Sequence, residues 1–147
     1  MLINHPSIGQ NGEAEQGTIS LNHLALHVHD LEKSKKFYET VVGLKSIPEP
    51  FKDGFHEWFS MGGKGQLHLI GGAEKPLSRN KNNHLCFTVK SIDAFITNLE
   101  SQNIEWTNWA GKAKTRTLRV DGVTQIYFVD PDGYWIELNN DGYINKK

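Results

Sequence analysis

Residues 18 to 29, TISLNHLALHVH, alternate as a β-strand does, with successive side chains on opposite faces. Leu24, Leu26 and Val28 share one face, and His23, Ala25, His27 and His29 share the other. The period changes at Asp30. Leu31, Ser34, Phe37, Tyr38, Val41 and Val42 recur at helical spacing, with Asp30 as N-cap and Gly43 placed to stop the helix. Three short strand-like runs follow, LKSIP, FHEWFSM and QLHLIGG, with a turn at Gly62 to Gly65 before the last. The next stretch, AEKPLSRNKN, reads as a loop because of its Pro, Ser and Asn.

After this loop the pattern starts again. NHLCFTVKSIDAFITNLESQNIEW, from Asn83, aligns with NHLALHVHDLEKSKKFYETVVGLK, from Asn22, at a constant offset of 61 residues. Ser91 caps a second predicted helix whose apolar stripe is Ile92, Phe95, Ile96 and Leu99. The strand-like runs IEWTNW, TQIYFVD and YWIELNN come next, and Asp130-Pro131-Asp132-Gly133 forms a turn between the last two. Each half is thus predicted as β-α-β-β-β, an α+β fold of two modules over 18–72 and 83–141. Residues 73–82 are the linker, 1–17 a polar N-terminal arm expected to be mobile, and 142–147 a C-terminal tail.

Composition narrows the function classes. The net charge of −1 gives no reason to expect nucleic acid or an acidic membrane surface as partner. No apolar run approaches the roughly 18 residues of a membrane span, and the N-terminus lacks the pattern of a signal peptide. With Cys86 as its one cysteine the chain has no internal disulfide, so a cytoplasmic location is expected. There is no Gly-rich phosphate loop after a strand.

The repeat lets equivalent positions be compared. His23 and His84 hold the same place on the first strand of each half. In the last strands LHLI (67 to 70) matches IELN (136 to 139), so His68 corresponds to Glu137. A single strand histidine is most often a satisfied polar residue. Four symmetry-related positions carrying His, His, His and Glu are harder to obtain by accident, and such donors suit Zn, Ni, Mn or Fe(II). His27 and His29 become Thr88 and Lys90 in the second half, which sets His23 apart from its neighbours.

The segments NHLALHVHDLEKSKKFYETVVGL, HLCFTV and YFVDPDGYWIEL resemble the vicinal oxygen chelate superfamily over residues 18 to 141. That group includes glyoxalase I, fosfomycin-resistance thiol transferases, extradiol dioxygenases and bleomycin-resistance proteins. The resemblance implies paired βαβββ modules forming an open, incomplete β-barrel around one divalent metal, with helices on the outside. It places metal ligands on His23, His84 and Glu137, with His68 as a fourth ligand or, with Glu137, a catalytic group. Glyoxalase I usually carries Glu at the position of His68, so the site here has one carboxylate rather than two. Histidine, with an ordinary pKa of about 6.5, can serve as a base instead.

Proton transfer of the lactoylglutathione lyase kind is the activity the resemblance implies first. Thiol transfer and Fe(II) ring cleavage are its enzymatic alternatives, and metal-free drug binding is an alternative of another class. The implied partners are a small-molecule substrate, such as glutathione or another thiol, and a second copy of the chain in a homodimer. Further candidates come from position. Arg116 and Arg119 lie in the basic segment AGKAKTRTLRV and suit an anionic substrate. Cys86 shares the His84 face, Trp135 shares the Glu137 face, and His27 lies two residues beyond Ala25 on the His23 face. Trp58, Trp106, Trp109 and Phe55 are candidate pocket walls.

Overall fold

The computed structural model describes residues 20–144; the expected N-terminal arm and the last three residues of the tail lie outside them. The first half runs β1 (His23–His27), α1 (Leu31–Phe37) and a π-helical turn (Tyr38–Val42), then β2 (Lys45–Ile47), β3 (His56–Ser60) and β4 (Gln66–Ile70). The second half runs β5 (His84–Thr88), α2 (Ile92–Ser101), β6 (Thr117–Leu118), β7 (Thr124–Val129) and β8 (Trp135–Asn139). Each half makes one four-stranded sheet, in the orders β1-β4-β3-β2 and β5-β8-β7-β6. Neither sheet closes on itself, so the architecture is the open α+β arrangement that the repeat predicts.

Helix boundaries follow local chemistry. The Asp30 side chain accepts a hydrogen bond from the Lys33 amide (3.0 Å), and Ser91 accepts from Ala94 (3.2 Å). Such caps are each worth about 1 kcal/mol because they satisfy orphan N–H groups. Gly43 ends the first helical segment at φ 83°, a left-handed conformation that glycine adopts without steric cost.

One core joins the two halves. Leu26, Phe59, Leu67 and Leu69 of the first sheet cluster with Ile126, Phe128, Ile136 and Leu138 of the second, and Phe37, Tyr38, Ile96 and Leu99 pack among them. Truncating such a leucine to alanine costs about 2–5 kcal/mol. A buried polar seam adds to the apolar one. Ser34 Oγ donates to Asp132 (2.6 Å), Tyr38 OH to Asp130 (2.8 Å), and the His29 amide to Asp132 (2.6 Å). The 130–133 turn therefore anchors the first helix as well as its own hairpin. Gly133 is required there, since a Cβ would fall 1.9 Å from the Leu77 carbonyl oxygen of the linker.

The run IEWTNW does not form a sheet strand. Trp106 turns into the core, Thr107 makes isolated bridges to Ala113 and Tyr127, and the outer strand of the second sheet is Thr117–Leu118 instead. Burial of the indole outweighs the β propensity of its neighbours.

Candidate functional site

Strand register places the four candidate ligands as two diagonal pairs. In the first sheet His23 lies opposite Gln66 and Ala25 opposite His68; in the second His84 lies opposite Trp135 and Cys86 opposite Glu137. The neighbouring residues Leu26, Leu67, Leu69, Ile136 and Leu138 fill the shared core. Alternation therefore turns both pairs onto faces away from that core. Among the described residues no group of three or more His, Cys, Asp or Glu side chains is gathered as a metal site within the chain. The four candidates thus form two separate pairs, a candidate half-site on each sheet.

In the first half-site three rings stack in series. His68 lies parallel to His23 (4.2 Å between centroids, 10° between planes) and to Trp58 on its other side (3.9 Å, 2°). Asn22 Oδ1 lies 2.7 Å from His23 Nδ1, and a side-chain oxygen there takes a proton from the ring, which leaves Nε2 with the lone pair. Gln66 Oε1 lies 2.8 Å from His68 Nε2, which by the same reasoning leaves Nδ1 of His68 with its lone pair. Two rings stacked so nearly parallel hold their in-plane lone pairs in separate planes, not aimed at a common point. Burial, then the nearby His23 and His56, lowers the His68 pKa, so that imidazole is neutral at pH 7. These rings, with Asn22, Phe51, His56, Gln66 and Ile70, line a cavity of about 560 Å³.

The second half-site is held by hydrogen bonds. Glu137, only 5% exposed, receives Gln125 Nε2 (2.7 Å), Asn139 Nδ2 (2.9 Å) and Cys86 Sγ (3.3 Å) on Oε1, and Tyr127 OH (2.8 Å) on Oε2. Burial alone would raise its pKa, but these donors outweigh burial and hold it below the usual value. The result is a fixed, ionised carboxylate. Desolvation of its sulfur and the adjacent Glu137 push the Cys86 thiol up to about 12, which disfavours the thiolate at neutral pH.

His84 completes this half. Its Nδ1 lies 2.9 Å from the Lys81 carbonyl oxygen and must donate the proton there. Its Nε2 then faces Glu137 Oε2 at 3.2 Å. Two acceptors this close repel unless a cation lies between them or a proton sits on Nε2. The donor set thus fits a metal ion chemically.

The remaining candidates are spread out. Arg119 bonds to Asp121 (2.6 Å) and Asp141 (3.0 Å), close enough to Cys86 and Tyr127 for its charge to act on both. Arg116 pairs with Asp93 at the surface. Trp135 Nε1 donates to the Arg79 carbonyl (3.0 Å), while the His27 amide and carbonyl both meet Tyr134 OH. Trp58 lines the first cavity, Trp109 borders His84, Trp106 is core, and Phe55 is exposed. Sequence reasoning passed over Gln125, Tyr127 and Asn139 as holders of Glu137. Alternation in β7 carried the signal, since Gln125 and Tyr127 share a face and Tyr127 lies opposite Glu137.

A model of the Glyoxalase/Bleomycin resistance protein/Dioxygenase superfamily matches residues 20–138. The lactoylglutathione lyase of Schizosaccharomyces pombe is 30% identical over 152 residues, covering 84% of this chain and 48% of that protein. The chain thus spans about half the length of that relative. The metallothiol transferase FosB of Staphylococcus saprophyticus is 32% identical over 129 residues, covering 82% of this chain and 76% of that protein. Among solved structures, a putative glyoxalase family protein from Bacillus anthracis superposes with a TM-score of 0.64 at 26% identity, covering 84% of this chain and 96% of that one. No helix among the described residues is long and apolar enough to cross a membrane. By the extent of the family match, the chain belongs to the glyoxalase/bleomycin resistance/dioxygenase superfamily.

Proposed function

We propose that the protein is a divalent-metal enzyme that moves a proton beside a carbonyl of a small substrate, as lactoylglutathione lyases do. The observation that carries this reading is the facing pair His84 Nε2 and Glu137 Oε2 at 3.2 Å, two acceptors whose repulsion a shared divalent cation would relieve. His23 Nε2, His84 Nε2 and Glu137 Oε2 are the ligand atoms, being those left with lone pairs by their neighbours. When bound, the metal supplies Lewis acidity toward neighbouring substrate oxygens. Glu137, held by four donors, stays ionised and in place, so His68 is the proton carrier and Nδ1 its working atom.

The two half-sites face away from the common core, so a complete site joins β1 and β4 of one copy to β5 and β8 of a second. Open edges on β1 and β5 suit such a pairing, because each strand has a neighbour on one side only. Arg116 and Arg119 are bonded to carboxylates of the chain, which disfavours a strongly anionic thiol partner on those residues. The aromatic cavity beside His23 favours a second reading. With Fe(II), the same two imidazoles and one carboxylate would suit ring cleavage of an aromatic diol by dioxygen, both oxygen atoms entering the product.

Mixing two inactive variants tests the arrangement. His23→Ala and Glu137→Ala each lose metal-dependent turnover, and co-refolded together they regain part of it, since one of the two shared sites is then intact. No recovery, with mixed oligomers verified by mass spectrometry, overturns the shared site. Assays with a hemithioacetal under Ni(II) or Zn(II), and with a catechol under Fe(II), separate the two chemistries. Absence of bound metal and of both activities would favour a drug-binding module.

A further inference from the structure

The side chain of the linker residue Lys81 has no role in the reading above, yet this residue touches the second half-site from several directions. Its carbonyl oxygen takes the Nδ1 proton of His84. Its ammonium reaches forward to Thr107 Oγ1 (3.2 Å), the Asn108 carbonyl (2.7 Å) and the Trp109 carbonyl (3.1 Å). The same ammonium lies over the rings of Tyr127 (4.5 Å), Trp135 (4.6 Å) and Trp109 (5.7 Å). Two of those rings meet His84 edge-on, Tyr127 at 5.9 Å and 87° and Trp109 at 6.4 Å and 68°.

An ammonium near a binding site is usually read as an anion receptor. That role is closed to Lys81, because it has three protons and three oxygen acceptors already take them. None of those acceptors is a carboxylate, so the aromatic faces supply part of the compensation for the partly desolvated charge. What the side chain accomplishes is mechanical. It ties the linker, the 107–109 loop and the Tyr127 ring into one block around the imidazole.

We infer that Lys81 is a positioning residue, which fixes His84 as the Nδ1–H tautomer with Nε2 turned to Glu137. This rests on the reading of His84 as a metal ligand. The first half-site has no counterpart, since the position 61 residues earlier is Ser20 and the side chain of Asn22 holds His23 there. Hydrogen-bond partners of ligating histidines set tautomer and ring angle, and losing one costs about 10–100-fold in metal affinity.

The test uses the full chain, labelled with 15N-histidine, with Co(II) as probe. In the wild type without metal, long-range 1H–15N spectra should show His84 protonated at Nδ1. Lys81→Met, which fills the aromatic cage without charge, should convert His84 to a tautomer mixture and leave His23 unchanged. Its Co(II) affinity should fall about 10–100-fold. Thr107→Val, which removes one acceptor and keeps the ammonium, should move both readouts in the same direction by less, and it decides the matter if Lys81→Met does not fold. General loosening would disturb His23 and His84 alike and would overturn the inference, as would unchanged His84 spectra or a wild-type His84 without a proton on Nδ1. A wild type that binds no Co(II) but shows the His84-specific change sinks the metal reading and leaves the positioning role standing.

Discussion

The two half-sites share a backbone and differ in how their side chains are held. Each places a histidine on its first strand diagonally opposite a ligand-type residue on its last strand, in the same register. In the first sheet the fixing force is ring stacking, with His68 between His23 and Trp58. In the second it is a ring of donors around one carboxylate. Stacking suits neutral imidazoles and leaves a proton acceptor unspent, whereas donors stabilise a permanent negative charge. The repeat therefore preserves position while changing character: a hydrogen-bonded anion on one side, a stacked neutral imidazole on the other.

Glu137→Ala should have the largest effect. It removes the carboxylate that Gln125 and Tyr127 donate to and one of the two acceptors of Asn139, so chemical denaturation should show a loss on the order of 3 kcal/mol. An unchanged midpoint would mean the donor ring is not what orders this half. Trp58→Ala strikes the first half-site through stacking and packing, and about 2 kcal/mol should go. The His68 resonances should broaden while those of His84 stay sharp. Equal broadening would erase the distinction between the halves.

The seam that couples the halves should be sensitive to pH. Burial raises the Asp130 carboxyl to about 6, partly offset by the Tyr38 hydroxyl and the Tyr134 and Asp132 amides. With the folded value above the unfolded one, its contribution is fully present below the ordinary carboxylate range and is lost as pH rises through about 6. The stability of wild type relative to Asp130→Asn should accordingly fall between pH 4 and pH 7; a flat difference would show that Asp130 ionises freely in the fold. Arg116→Ala should matter least. Its pairing with Asp93 is exposed, and such pairs contribute about 0–1 kcal/mol. A large loss of turnover in that variant would place Arg116 at the second half-site after all.

Much of this was legible along the chain. Asp30 and Ser91 announce helix starts, Gly43 a helix end, and the 61-residue offset pairs His23 with His84. Those signals are local or periodic, so neighbours a few residues apart generate them. IEWTNW misled because its strand-forming residues are outweighed by burial of Trp106, a contact with distant partners. Lys81 was invisible for the same reason. A lysine in a polar loop looks solvated until Trp109, Tyr127 and Trp135 close over it.

The sequence by itself determined the two modules, their strand faces and the four positions able to ligate, because alternation and repetition are written residue by residue. Tertiary structure decided which donor atoms stay free, which carboxylate stays charged, and that the pairs lie on faces turned away from one core. Those outcomes depend on hydrogen-bond partners and ring contacts between strands far apart in the chain, which exist only once the sheets have formed.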